Sequence, residues 1–308
     1  HIFFSCRGQG GICIFQVLSM KRFAFKTIIF SLFILLNFIL INSIYLGLLM
    51  LTDWDCRKRI ESLKFNNADF ELLALGASTT SCGIDTEYLT DMGIKSYNLA
   101  LDGATIKTSC FQLAEYLSNN VNRPDYVILG INPPIQKVFD VESINPLVEI
   151  TSDGYELSLS DAPILRFRWL GYELFMKIVS RKHRLADFSF GQIKYKMSVV
   201  DNTDYCELYS EVERVASSHW IGEIVRLCSE TGIEMLIVEM PGYKATQNLS
   251  KTGLGTIQSA NGFQAKMVNL NSREFCRIFE DDDWIVNSHL NEAGGLKLTR
   301  ELAKYLSK

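Results

Sequence analysis

The order of apolar runs and turn residues predicts an α/β domain, a central parallel sheet with helices on its faces, preceded by one membrane-spanning helix. Two observations carry this expectation. An uncharged run of about 25 residues, Thr27 to Leu51, follows the basic residues Lys21, Arg22 and Lys26. Beyond it, short apolar runs end in glycine or asparagine and are followed by stretches with helical spacing. The 308-residue chain then has room for one domain of roughly 250 residues.

The apolar run is long enough to cross a hydrocarbon core of about 30 Å with some tilt. A cleaved signal peptide has a shorter apolar region and a small-residue site after it, and Leu48-Leu49-Met50-Leu51 offers none. The basic near flank favours an N-terminus inside and the following domain in the periplasm or extracellular space. Arg57, Lys58 and Arg59 on the far side weaken that bias. Met20 opens this pattern and is the expected true start, since the first residue is His1.

Phe70 to Leu75 reads as a buried strand ending at Gly76, and Asp85 as the cap of a short helix through Met92. A second strand is expected over Ser96 to Leu101. Ile106, Cys110, Leu113, Ala114 and Leu117 then recur at helical spacing. Tyr126 to Leu129 is the third strand, stopping at Gly130-Ile131-Asn132. The middle, about 135 to 203, lacks regular alternation and is expected to hold helical insertions. A long helix over Tyr205 to Glu230 leads to a strand from Ile233 to Glu239, then loop and helix. Trp284 to Val286 reads as a final short strand. Asn291 to Leu306 reads as a last helix with Leu298, Leu302 and Leu306 on one face.

Composition removes some functions. A formal net charge of −4, with no basic stripe bearing aromatics, speaks against nucleic acid. The eight cysteines are scattered, without a C-x-x-C pair or histidine at ligand spacing, so neither a metal site nor another cofactor is expected. Some of the six beyond the anchor could pair if the domain is exported. Among the histidines, His183 lies in a basic run and His219 beside Trp220, which suits exposed or structural roles.

Four expected strand ends carry small or polar residues: Gly76-Ala77-Ser78, Asp102-Gly103, Gly130-Ile131-Asn132 and Asn287-Ser288-His289. Open α/β sheets gather ligands at such ends. Together these residues supply a nucleophile in Ser78, a general base in His289, and oxyanion donors in the Ser78 and Gly103 N–H groups and the Asn132 amide. Gly103 is expected to be glycine because a side chain would crowd the substrate carbonyl. The G-x-S-x-G elbow of α/β-hydrolases does not fit, since Thr80 stands two residues after Ser78.

Leu73 to Asp85, L-A-L-G-A-S-T-T-S-C-G-I-D, resembles the first conserved block of the SGNH/GDSL hydrolase superfamily, especially its membrane-anchored bacterial branch. Ser96 to Ile106 looks like the second block, Gly130 to Asn132 like the third, and Ser288 to Gly294 like the last. The resemblance implies a flavodoxin-like three-layer α/β/α sandwich. The expected segments are an N-terminal cytoplasmic stretch 1–26, an anchor 27–51, a connector 52–69 and a hydrolase-like domain 70–308. The implied chemistry is a serine esterase or O-acyltransferase working through an acyl-serine, without a cofactor or metal. The implied substrates are acyl, particularly acetyl, esters of cell-surface glycan, with envelope polysaccharide machinery as a possible partner.

One position departs from the family pattern. An aspartate usually stands three residues before the histidine, and here that residue is Val286. Orientation of the imidazole then falls to Asn287, a backbone carbonyl, or a carboxylate from Asp281, Asp282 or Asp283. The departure keeps a second reading open, a non-catalytic carbohydrate-binding or assembly protein of the cell envelope.

Overall fold

The computed structural model describes residues 9–51, 68–131, 162–166, 168, 171, 186–196, 218–243, 253–258, 262–275, 277–286 and 289–306. Contacts divide the chain into two units, one of residues 1–52 with 157–181, the other of the remainder.

The first unit holds helix α1 (Gln9–Leu51). Its stretch Arg22–Leu48 is long and apolar enough to cross a membrane. The expected connector falls almost wholly outside the described residues.

The second unit is an α/β domain. Its sheet contains β1 (Leu72–Leu75), β2 (Ser96–Asn98), β3 (Tyr126–Ile131), β6 (Glu234–Glu239), β7 (Leu254–Gln258) and β8 (Gln264–Asn269). Their spatial order is β2-β1-β3-β6-β8-β7. All neighbours are parallel except β7, which runs antiparallel to β8 at the edge. The five parallel strands thus have the flavodoxin-like order 2-1-3-4-5.

Alternation along each strand explains the layers. Leu73 and Leu75 of β1, Val127 and Leu129 of β3, and Ile237 of β6 face one core with helices α4 (Ile106–Asn119) and α6 (His219–Thr231). Leu72, Ala74, Ile128, Leu236 and Val238 face the other, where helix α7 (Glu292–Ala303) contributes Leu298 and Leu302. Both faces are covered, so these strands read as continuous apolar runs rather than as alternating ones.

Several boundaries match local chemistry. Helix α2 (Ser78–Gly83) follows β1, and α3 (Thr86–Asp91) starts at Asp85, whose carboxylate accepts the Tyr88 N–H at 3.0 Å. Thr105 and Thr108 form a reciprocal capping box on α4. Ser218 caps α6, which begins later than the expected Tyr205; residues 205–217 lie outside the described set.

The middle departs from the expected helical insertions. Its described residues contain a short helix α5 (Pro163–Arg166), in the first unit, and an antiparallel hairpin, β4 (Ala186–Ser189) with β5 (Gln192–Tyr195). Phe190 and Gly191 form the two-residue turn, both with positive φ, 46° and 83°. That geometry is normally signalled by Asn-Gly, so Phe-Gly concealed the hairpin. Its tight seat offsets the strain at Phe190, whose carbonyl accepts the Asn98 N–H and the Thr86 hydroxyl, both at 2.9 Å.

Two further corrections concern the C-terminal third. The stretch expected as loop and helix after residue 242 includes strands β7 and β8; only β8 is largely buried, and β7 shows mostly exposed side chains. The strand β9 (Trp284–Val286) forms and pairs with β10 (His289–Leu290) in a separate antiparallel ribbon, outside the main sheet.

Candidate active site

Among the parallel strands the chain leaves β1 for β2 on one side and then returns to β3 on the other. The crevice beyond the carboxyl ends of β1 and β3 is therefore the topological switch point, where open α/β sheets bind ligands. Ser78 stands there as the first residue of α2.

Two close approaches fix α2. Thr80 is fully buried against the ends of β1 and β3. A Cβ on Gly130, or on Gly76, would collide with its side chain. From the β2 side, Asn98 is completely buried and donates through Nδ2 to the carbonyls of Thr80 at 3.0 Å and Ile84 at 3.2 Å. Its Oδ1 accepts the Ala100 N–H at 3.0 Å. One amide thus satisfies carbonyls at the end of α2 and shapes the loop after β2. From α7, the Thr299 hydroxyl lies 3.3 Å from the Gly83 carbonyl and accepts the Asp85 N–H at 2.7 Å.

The side chain facing Ser78 comes from the ribbon. His289 opens β10 opposite Val286, and its Nε2 lies 2.8 Å from Ser78 Oγ. Both residues are half-buried. Two residues after His289, Asn291 caps α7: it accepts the Gly294 N–H at 3.0 Å and donates to the Asp282 carbonyl at 2.5 Å. Burial holds the imidazole pKa below its usual value, and the negative charge of Asp102 partly opposes that shift. Burial thus favours the neutral form of the imidazole.

The expected site residues divide clearly. Ser78 and His289 meet across 211 positions of sequence. Asn132, Asn287 and Ser288 lie outside the described residues. The acidic run forms a 3-10 turn, Asp281–Asp283. The Asp283 carboxylate, one of the expected orienters, is buried on Lys297 Nζ at 2.8 Å and the Glu280 N–H at 2.7 Å. It serves as a turn cap and a partner for Lys297.

Gly103 has φ +68°, and among the described residues no atom lies within 4 Å of where its Cβ would be. Left-handed backbone is thus the reason the protein itself gives for glycine there. The crowding expected from the sequence involves a substrate, and no described residue produces it.

Three contributors were not singled out in the sequence. Asn98 could have been noticed as a lone amide in an apolar run, Tyr97 to Leu101. Asp102 belongs to a strand-end loop recognised for its glycine. Lys194 of the hairpin reaches back to the buried Asp85 at 3.2 Å and to Glu87 at 2.7 Å; nothing local announces that pairing.

Among the described residues Cys82, Cys110 and Cys228 are buried and in no disulfide, and burial pushes the Cys110 and Cys228 thiols up to about 12. Among the described residues no cluster of three or more His, Cys, Asp or Glu could hold a metal ion.

Comparison with known proteins adds little. No family model and no curated protein matches the chain. Among solved structures it is similar to "a putative platelet activating factor from Streptococcus pneumonia", at 11% identity, with 87% of this chain and 99% of that chain covered and a TM-score of 0.41. No functional argument rests on a likeness of that size.

Proposed function

We propose that this chain is a membrane-anchored serine esterase or O-acyltransferase of the SGNH type, acting through an acyl-Ser78 intermediate on acyl esters of cell-envelope glycan. The observation that carries the reading is the 2.8 Å contact between Ser78 Oγ and His289 Nε2 at the switch point of the sheet. An isolated hydroxyl is a poor nucleophile at neutral pH, and a neutral imidazole at that distance is what activates it.

In the proposed reaction Ser78 Oγ attacks the ester carbonyl carbon while its proton passes to His289 Nε2. The carbonyl π electrons move to oxygen, giving a tetrahedral oxyanion. On collapse the bond to the leaving alkoxide breaks, and that oxygen takes the proton from Nε2. Water or a sugar hydroxyl then attacks the acyl-serine by the same path in reverse, regenerating Ser78. The oxyanion donors are the N–H groups of Ser78 and Gly103 and the Asn132 amide. No hydrogen bond among the described residues takes up either N–H. Each donor in such a hole is typically worth about 2.7–4 kcal/mol in the transition state.

Asp102 is the carboxylate whose charge favours the imidazolium, and we assign it that part in place of the aspartate missing at Val286. The anchor reading rests on Arg22–Leu48, with residues 1–26 inside and the catalytic domain outside. Glycan as substrate and polysaccharide machinery as partner rest on the sequence resemblance alone.

A second reading has its own observation. Val286 is the strand partner of His289, and the nearby Asp283 carboxylate is taken by Lys297. A binding module that has lost its chemistry would look this way. Turnover of acetyl esters and acetylated glycans by the full chain in detergent separates the two. The catalytic reading expects hydrolysis or transfer that falls at least about 10³-fold in Ser78→Ala. Glycan binding without turnover, unchanged in Ser78→Ala, would support the binding module.

A further inference from the structure

Polar side chains in the apolar stretch of α1 mostly turn back on their own helix. Thr27, Asn37 and Ser43 each donate to the carbonyl four residues earlier, at 3.0, 2.7 and 2.8 Å. Asn42 does the same toward Phe38 at 2.8 Å, but its Oδ1 also accepts the backbone N–H of Ile164 at 2.8 Å. It is 1% exposed, whereas its neighbours Ile41 and Ile44 are 49% and 54% exposed.

The shielding follows a face. Phe38, Asn42 and Tyr45 lie at i, i+4 and i+7, and each is at least half-buried. The Tyr45 phenol meets the backbone of Gly171, where a Cβ would come within 3.2 Å of the hydroxyl. Both contacts belong to one compact unit formed by residues 1–52 and 157–181.

The Asn42–Ile164 bond joins an acceptor and a donor that helix geometry alone does not satisfy. The Ile164 N–H is in the first turn of α5, where no intrahelical acceptor exists. An asparagine carbonyl in hydrocarbon likewise needs a donor. Depth follows from helix geometry. Arg22–Leu48 has 27 residues, about 40 Å at 1.5 Å each, against a core of about 30 Å. With the span centred, Asn42 lies about 4 Å inside the hydrocarbon boundary on the Leu48 side.

The sequence Pro163 to Gly171, P-I-L-R-F-R-W-L-G, mixes Arg and Trp with Ile, Leu and Phe, the composition of a segment at a lipid interface. Leu165 is 62% exposed.

We propose that the α5 segment is a second membrane contact, seated on Asn42 and Tyr45 of α1, with the acyl chains of the bilayer covering its open apolar side. This rests on α1 being a membrane span, not on the catalytic reading.

The test uses the full chain in phosphatidylcholine vesicles containing acyl-brominated phosphatidylcholine. A fluorescent coumarin amino acid is placed in turn at positions 33, 165 and 121, the last being the 83% exposed Val121. Quenching at 165 is expected to approach that at 33 and to exceed that at 121 by roughly threefold or more. In Asn42→Leu, quenching at 165 should fall toward the level at 121 while that at 33 holds. Quenching at 33 with none above background at 165 would overturn the proposal, as would full quenching at 165 in Asn42→Leu. No quenching at any position removes the anchor reading and the proposal with it, and leaves the Ser78 chemistry untouched.

Discussion

Two buried asparagines close loops at the carboxyl ends of the sheet, one on each side of β3, and they work alike in different company. Asn98 donates to the Thr80 and Ile84 carbonyls and accepts from Ala100. Asn271 donates to the Met240 carbonyl at 2.9 Å and to Glu239 at 3.1 Å, and accepts from Gly242 at 2.8 Å. Around Asn98 the fastened element is α2, with Ser78 facing His289. Around Asn271 it is a loop enclosing a carboxyl group. Buried polar residues at strand ends therefore do not define a site by themselves; a nucleophile within reach of a base does.

Removing the asparagines is the strongest way to break that comparison. Asn98→Ala and Asn271→Ala each leave buried backbone groups unpaired and should cost about 2–4 kcal/mol in urea unfolding. Only Asn98→Ala should also lower kcat/KM of the still-folded protein, by roughly tenfold, because α2 carries Ser78, the proposed nucleophile. Equal losses of activity in the two variants would break the distinction.

The carboxyl on the quiet side gives the next effect. Glu239 is 1% exposed, and burial raises its pKa to about 7, partly opposed by the Asn271 amide. The folded protein then holds a proton that the unfolded chain releases near pH 4.5, so stability falls as pH rises from there through about 7. The span corresponds to at most about 3 kcal/mol. Glu239→Gln should flatten that part of the pH–stability curve, as read by thermal or urea unfolding between pH 4.5 and 8. An unchanged slope would remove Glu239 as its source.

The smallest effect sharpens the active side. Asp102 raises the His289 pKa against the lowering by burial. In Asp102→Asn the acid limb of the kcat/KM profile should move to lower pH, since the base stays neutral further down. The plateau should drop about two- to fivefold as the imidazolium loses a partly screened counter-charge. A limb that stays in place would exclude Asp102 from this part.

Much of the active side was legible because its signals are local. Gly76 follows a buried strand, Asp85 caps a helix, and Leu298 and Leu302 repeat at helical spacing. Ser78 and His289 were legible through the motifs around them. What escaped depends on distant partners. Lys194 is explained by Asp85 and Glu87, and the Phe190-Gly191 turn by the backbone N–H of Asn98 and the hydroxyl of Thr86. The edge strand β7 has too little burial for a pattern. The acidic run before His289 shows the opposite case: Asp283 stands close in sequence to the base, yet its bonds go to Lys297 and a backbone N–H.

The central claim is an activated serine at Ser78. The most direct measurement is labelling of the purified full chain in detergent by a fluorophosphonate probe, with Ser78→Ala and His289→Ala alongside. The wild type should be labelled, Ser78→Ala should not, and labelling of His289→Ala should slow by at least about 10³-fold. A folded wild type that does not label, or a His289→Ala variant that labels at the wild-type rate, would contradict it.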